Sequence, residues 1–294
     1  MERFFSTHLK ASKLLSLIEI GRPWNGIVTG LLGVLGAVLI VGGTLSIDQT
    51  ILIFLTFLTA YLGGAIVNDI FDTDVDRVNM PYRPIMQGRV TLKEASIVSA
   101  ILHILSLTIA YITDIKLFGF TVLFLLLSLG YSMPPIYFVR RGALAQISLA
   151  LITSVIPIYA GASIAAGTIE LPTSVILQIL TFSALFAFIF LLKDFKDLEG
   201  DSKGNKRTVA LIMGPELTKK ITVVGTAIFF LASIIMFNQK INSTIFLGAS
   251  IAVLAGTILT ENEIIKHPEK MFGQARLLLL AYITLIFLGL QHII

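Results

Sequence analysis

The sequence predicts an all-α, polytopic membrane protein of about nine transmembrane helices. Three observations carry that expectation. Hydrophobic residues fill 55% of the 294 positions and charged residues only 14%, where a soluble domain carries about 25% charge. Apolar runs of roughly the 20 residues needed to cross a bilayer recur along the whole length. Every lysine and arginine except Lys116 and Lys240 falls at the N-terminus or in alternate loops, a bias that marks the cytoplasmic side. Helices follow because lipid offers backbone groups no partners, and the alternating short strands of a barrel are missing. With no cysteine in the chain, disulfides, thiolate nucleophiles and Cys-ligated metals are excluded.

The N-terminal "MERFFSTHLKASKLLSLIEIGRPWN" lacks an apolar core followed by a small-residue cleavage site, so it is read as retained. From Thr7 to Ile20, Leu9, Leu14, Leu15, Leu17 and Ile18 mix with Lys10, Lys13 and Glu19. That stretch is either an amphipathic helix lying in the interface or an extension of the first span. Span one, about 25–45 by the length criterion, opens at "GRPWN", with Trp24 as an interface anchor. Span two, about 49–68, runs into an acidic cluster; span three, about 95–113, holds His103, expected to hydrogen-bond a neighbouring helix. Span four, about 117–133, ends at "YSMPP", and span five, about 143–166, is bent by Pro157. Span six, about 173–193, runs into a second acidic cluster; spans seven to nine occupy about 220–237, 242–260 and 274–293. Glu261, Glu263 and His267 read as solvated charge. Alternate-loop basicity puts the N-terminus in the cytoplasm and the C-terminus outside.

The two clusters are "VNDIFDTDVDRVNMPYRPIMQGRV" from 67 and "LLKDFKDLEGDSKGNKRTVALIMG" from 191. An even number of spans separates them, so both emerge on one side of the membrane. Within the chain, read as a single domain over 1–294, the motifs at 68–76 and 194–201 hint at an internal duplication of about four helices. Asn68, Asp72 and Asp76 follow i, i+4, i+8 and fall within about 80° of one helix face at 100° per residue. Asp74 points away and Asp69 lies to one side. Asp194, Asp197 and Asp201 follow i, i+3, i+7 on one face, although Gly200 threatens to break the helix near Asp201. A row of carboxylates needs positive charge between its members. Oxygen-only ligands suit hard cations, and Mg²⁺ takes one or two carboxylates plus substrate phosphates. The geometry asks for a diphosphate clamped by magnesium between two acidic helices, with Arg83, Arg89, Lys193, Lys206 and Arg207 neutralising the remaining phosphate charge.

At these residues the chain resembles the UbiA superfamily of intramembrane prenyltransferases. "NDIFDTDVD" with "RPI" and "GRV" is similar to its first signature, Asp197 and Asp201 before a basic stretch to its second, and "YSMPP" from Tyr131 to Pro135 to a third feature. The resemblance covers essentially the whole chain. One departure is that members often carry a lysine after the third feature, where "IYFVRRG" offers Arg140 and Arg141. A phosphate contact at Arg140 survives that exchange; a role needing a deprotonated lysine does not. The resemblance implies helices around a central cavity, capped on the cytoplasmic side by the two Asp-rich motifs. It implies Mg²⁺ held by Asn68, Asp72, Asp76, Asp194, Asp197 and Asp201, and ionisation of an isoprenyl diphosphate whose allyl cation a lipophilic acceptor captures. Asp72, Asp76, Asp197 and Asp201 are the expected catalytic aspartates. Tyr131 either orients the acceptor and stabilises cationic charge by its ring or is an interfacial aromatic. Arg22 and Asn25 either line the substrate or serve as a snorkelling arginine and a helix cap.

The second motif is similar to members that prenylate naphthoate rings for menaquinone. The first looks more like members acting on geranylgeranylglyceryl phosphate, hydroxybenzoate or chlorins. The expected acceptor is an aromatic quinone precursor, with geranylgeranylglyceryl phosphate in archaeal ether-lipid synthesis as the alternative. A cation-coupled secondary transporter would bind near the midplane between broken helices, whereas both clusters sit at helix ends. A non-catalytic lipid-binding member has no need of intact aspartates. No nucleic-acid partner is expected.

Overall fold

The computed structural model describes residues 13–41, 46–204 and 206–293. The start of the expected retained N-terminus and the first six residues of the Thr7–Ile20 segment lie outside the described residues. What is described of that segment is a separate helix, α1 (Lys13–Ile20), and not an extension of the first span. Arg22, at φ 54°, turns the chain between them. Leu14 and Leu15 are 67% and 55% exposed while Ser16 and Ile20 are buried, the two-faced character of an interfacial helix.

Nine helices among the described residues are long and apolar enough to cross a membrane. The first three spans are α2 (Pro23–Val41), α3 (Ile47–Phe71), followed by the short α4 (Thr73–Asn79), and α5 (Leu92–Thr113). Then come α6 (Ile115–Ser132) and a broken fifth span. That span consists of α7 (Ala143–Ala150), a π turn at Leu151–Val155, and α8 (Ile156–Ala166). The sixth span, α9 (Thr173–Phe190), leads into α10 (Leu192–Lys203) and α11 (Val209–Met213). The last three are α12 (Pro215–Ile241), α13 (Thr244–Asn262) and α14 (Pro268–Leu290). The chain is thus a multi-pass integral membrane protein. Expected and observed spans agree in number and order, and differ by a few residues at their ends.

Local chemistry starts and stops these helices. Ser46, Asp114 and Ser243 cap α3, α6 and α13 with side-chain oxygens. Thr91 and Glu94 form a reciprocal capping box on α5, the Thr91 N–H donating to Glu94 at 2.8 Å. Prolines open α12 and α14, where a missing N–H costs nothing. The π turn lies just before Pro157, whose ring nitrogen has no proton for the carbonyl one turn back, so the bend expected there takes the form of a widened turn.

Backbone contact, not side-chain bulk, sets the crossing of α2 on α8. A Cβ on Gly36 would lie 1.8 Å from the Ile158 carbonyl oxygen, and one on Gly161 would lie 1.8 Å from that of Gly33. Small residues at a membrane crossing let helices approach this closely, which supplies dispersion contacts where lipid removes the hydrophobic drive. Elsewhere the core is aromatic: Phe182, Phe186, Phe230 and Tyr282 pack between α9, α12 and α14. The Tyr282 hydroxyl is satisfied by Ser233 at 2.8 Å. Ile101, Ile104, Leu126 and Ile228 face outward, as a lipid-facing surface requires. His103 bonds no neighbouring helix among the described residues: its ring lies against Gly63 and its Nε2 finds no hydrogen-bond partner there. Glu261 is not solvated either; it is fully buried in α13.

Candidate active site

Because successive spans alternate in direction, α4 and α10 extend from the same face of the bundle, and they pack against each other. The contact is specific. Asn79 Nδ2 donates to the Asp197 carbonyl at 2.9 Å, and the Gly200 N–H donates to Asn79 Oδ1 at 2.8 Å. A Cβ on Gly200 would stand 2.3 Å from that oxygen. Gly200 therefore does not break α10, which continues to Lys203; it is small because Asn79 rests on it.

The first carboxylate row is not one uninterrupted helix. The chain leaves helical angles at Asp72, φ −101° and ψ 17°, between α3 and α4. Hydrogen bonds from Asp72 N–H to the Asn68 carbonyl at 2.9 Å and from Asp76 N–H to the Asp72 carbonyl at 2.8 Å keep the one-turn spacing through the kink. Asn68, Asp72 and Asp76 thus retain a shared face. Asn68 Nδ2 donates to Asp72 at 3.0 Å. Arg83 binds Asp76 and also Asp69, the latter at 2.9 Å. Arg22 donates to Asn68 and Asp69. Asp69, set aside in the sequence reading, is buried between these two guanidiniums. The signal that would have found it is the pair of arginines flanking the motif.

The second row faces the first across one cation. Lys206 Nζ lies 2.9 Å from Asp72 and 3.8 Å from Asp201, all three nearly buried. Asp194 accepts from the Gln146 amide at 3.1 and 3.2 Å. Asp197 is held by Lys196 at 2.7 Å. Burial pushes the Asp194 and Asp201 carboxyls up to about 6, against the pull of Lys193 on one and Lys206 on the other. Burial raises Asp76 as well, against Arg83. Nearby cations and hydrogen-bond donors offset that penalty and favour the charged form. Asp72 Oδ1 is buried with no partner among the described residues. No three His, Asp or Glu side chains among the described residues form a ready metal cage. Magnesium, which needs few protein oxygens and fills its shell with water and phosphate, fits this donor set better than a fully caged ion would.

Tyr131 lies at the end of α6, nearly buried, its hydroxyl accepting from Lys193 at 2.8 Å. Asn25 donates to the Tyr61 hydroxyl at 3.1 Å and accepts from Arg276, a residue the sequence reading counted only as loop charge. Three expected phosphate contacts have other partners in this structure or stand exposed. Arg89 is occupied by Glu19 at 2.7 Å and Ser16 at 2.9 Å, tying α1 down, because its loop folds back towards the N-terminus. Arg140 pairs with Asp74 at 2.9 Å and the Gly204 carbonyl at 2.9 Å, closing the site's rim. Arg207 is exposed, and its backbone N–H bonds the Arg140 carbonyl at 3.3 Å.

Residues 27–289 match the UbiA prenyltransferase family. The chain belongs to that family. It is accordingly a membrane-embedded prenyltransferase. Among its relatives, the digeranylgeranylglyceryl phosphate synthase of Pyrococcus abyssi is 28% identical over 281 residues, 92% of this chain and 95% of the relative. The enzyme of the same name from Thermococcus sibiricus is 30% identical over 265 residues, 87% of this chain and 88% of the relative. The fold is similar to that of a UbiA homologue from Archaeoglobus fulgidus bound to DMAPP and Mg²⁺, with TM-score 0.68, 20% identity, and 94% and 99% of the two chains covered. It is also similar to a UbiA homologue from Aeropyrum pernix, with TM-score 0.71, 18% identity, and 91% and 97% covered.

Proposed function

We infer that this enzyme transfers an isoprenyl group, geranylgeranyl by the names of its relatives, from its diphosphate to the free hydroxyl of geranylgeranylglyceryl phosphate. The aromatic acceptor favoured on sequence has no support among those relatives; the glyceryl phosphate alternative has. The observation that carries the reading is the single Lys206 ammonium reaching both acidic motifs, which marks one shared seat for positive charge.

Asn68, Asp72, Asp76, Asp197 and Asp201 would hold magnesium, with Asp194 at the buried root of the second row. When bound, magnesium supplies Lewis-acid stabilisation of the departing diphosphate. Arg83 and Lys206 stand next to the carboxylates and can turn to the phosphate oxygens as the leaving group gains charge. The allylic C–O bond breaks, the glyceryl oxygen bonds to the same carbon, and its proton leaves towards the diphosphate. The Tyr131 ring lies at the mouth, where an aromatic face stabilises a passing cation. Apolar walls exclude the water that would otherwise capture it. The mouth faces the cytoplasm, following the basic loops that share its face.

Purified enzyme, given Mg²⁺, geranylgeranyl diphosphate and each acceptor class in turn, should yield the digeranylgeranyl ether by mass spectrometry. Asp72→Ala and Asp197→Ala should each reduce turnover about a hundredfold to a thousandfold, the range seen when a key charge-stabilising group is lost. Product from a naphthoate or hydroxybenzoate but not from the glyceryl phosphate would overturn the acceptor. Undiminished turnover in excess chelator would overturn the chemistry.

A further inference from the structure

Arg276 sits inside the last span, α14, with its guanidinium turned towards the site. An ionisable side chain within a span is costly and ordinarily faces the bundle interior to serve a substrate or a charge partner. Among the described residues no carboxylate pairs with it: its side chain donates to the neutral Asn25 amide and lies 5.7 Å from the Phe272 ring. Three cations of that region among the described residues already meet carboxylates. Arg22 and Arg83 share Asp69, Arg83 also holds Asp76, and Lys196 is met by Asp197 at 2.7 Å. Lys196 lies 5.8 Å from the same Phe272 ring and feels the charge of both Arg22 and Arg83, so these cations form one neighbourhood. Asn25 is itself pinned by Tyr61, which holds the amide oxygen towards Arg276.

The two substrates of the proposed reaction both carry anionic heads. The donor's diphosphate goes with metal to the aspartates, and a second phosphate beside carboxylates that no cation screens would be repelled. The acceptor's phosphate monoester, with a charge of about −1.5 to −2 near neutral pH, needs cations of its own at the edge of the apolar interior. The geometry points to Arg276, oriented by Asn25 and flanked by Lys196, as the seat of the acceptor lipid's phosphate. This inference rests on the glyceryl phosphate reading above and adds to it the group that would distinguish a phosphorylated acceptor from a neutral one. A guanidinium is suited to the task, since its planar fork matches two phosphate oxygens at once and an ammonium does not.

The test measures binding to full-length protein in nanodiscs without donor, using geranylgeranylglyceryl phosphate and its dephosphorylated glyceryl ether. The wild type should bind the phosphate form at least about tenfold more tightly, and Arg276→Gln should erase most of that preference, as expected for charge-assisted bonds. Affinity for the ether, and for a non-cleavable donor analogue with Mg²⁺, should stay unchanged, which shows the variant is folded. Arg276→Lys should fall between the two. An absent preference in the wild type, a preference surviving in Arg276→Gln, or a parallel loss of ether and donor binding would each overturn the assignment. If Arg276-dependent binding is found but no ether product forms on adding donor, the functional reading fails and the phosphate seat stands. If product forms with the preference intact in Arg276→Gln, the seat fails and the reading stands.

Discussion

Two hydrogen bonds to one amide, Asn79 to the Asp197 carbonyl and the Gly200 N–H to Asn79, hold α4 on α10. Each is worth about 1 kcal/mol net, so Asn79→Ala should let the rows part without unfolding the bundle. The Mg²⁺ concentration for half-maximal turnover should rise about tenfold, given 1.4 kcal/mol per decade; an unchanged requirement would show that Asn79 does not position the site. The aspartates were legible because their one-turn spacing survives folding. Asn79 was not, because a lone asparagine after a motif looks like a turn residue until its partner 118 positions away is known. The partners of Arg89 and Arg140 were hidden for a related reason. Sequence shows that an arginine is near a motif but not which carboxylate it meets first, and Glu19 and Asp74 claim these two.

At the scale of elements, the apolar runs made the spans readable, while the fine structure of their junctions depended on contacts between helices. The π turn before Pro157 interrupts an apolar run that looks continuous in hydropathy, and the kink at Asp72 interrupts a one-turn spacing that looks like a single helix. The close crossing of α2 and α8 was hidden in glycines that carry no hydropathy signal. It makes a prediction: Gly161→Val drives a side chain into the Gly33 carbonyl and should lower stability by about 1–3 kcal/mol or more, the cost of overpacking. Gly119, on the exposed side of α6 with nothing within 4 Å of its Cβ direction, is the contrast. Gly119→Ala should leave stability equal or raise it by up to about 1 kcal/mol from helix propensity alone. Thermal unfolding in one detergent compares both; equal melting temperatures for the two variants would contradict the crossing's role.

For the whole molecule, the proposed orientation puts the motif-bearing face, with its basic loops, in the cytoplasm. The chain contains no cysteine, so single-cysteine variants report topology without further engineering. Lys203→Cys, at the end of α10, should react with an impermeant maleimide only after the membrane is opened. Asn242→Cys, between α12 and α13, should react in intact cells. The reverse pattern would invert the orientation while leaving the site's chemistry unaltered.

The central claim is that two acidic rows act as one magnesium–diphosphate site. Mg²⁺-dependent binding of a non-cleavable donor analogue to wild type, Asp72→Asn, Asp197→Asn and the double variant tests it as a thermodynamic cycle. Each single change should abolish nearly as much affinity as both together, because either row alone leaves the metal half-held. Losses that simply add, or a single variant that binds as the wild type does, would mean the rows work apart.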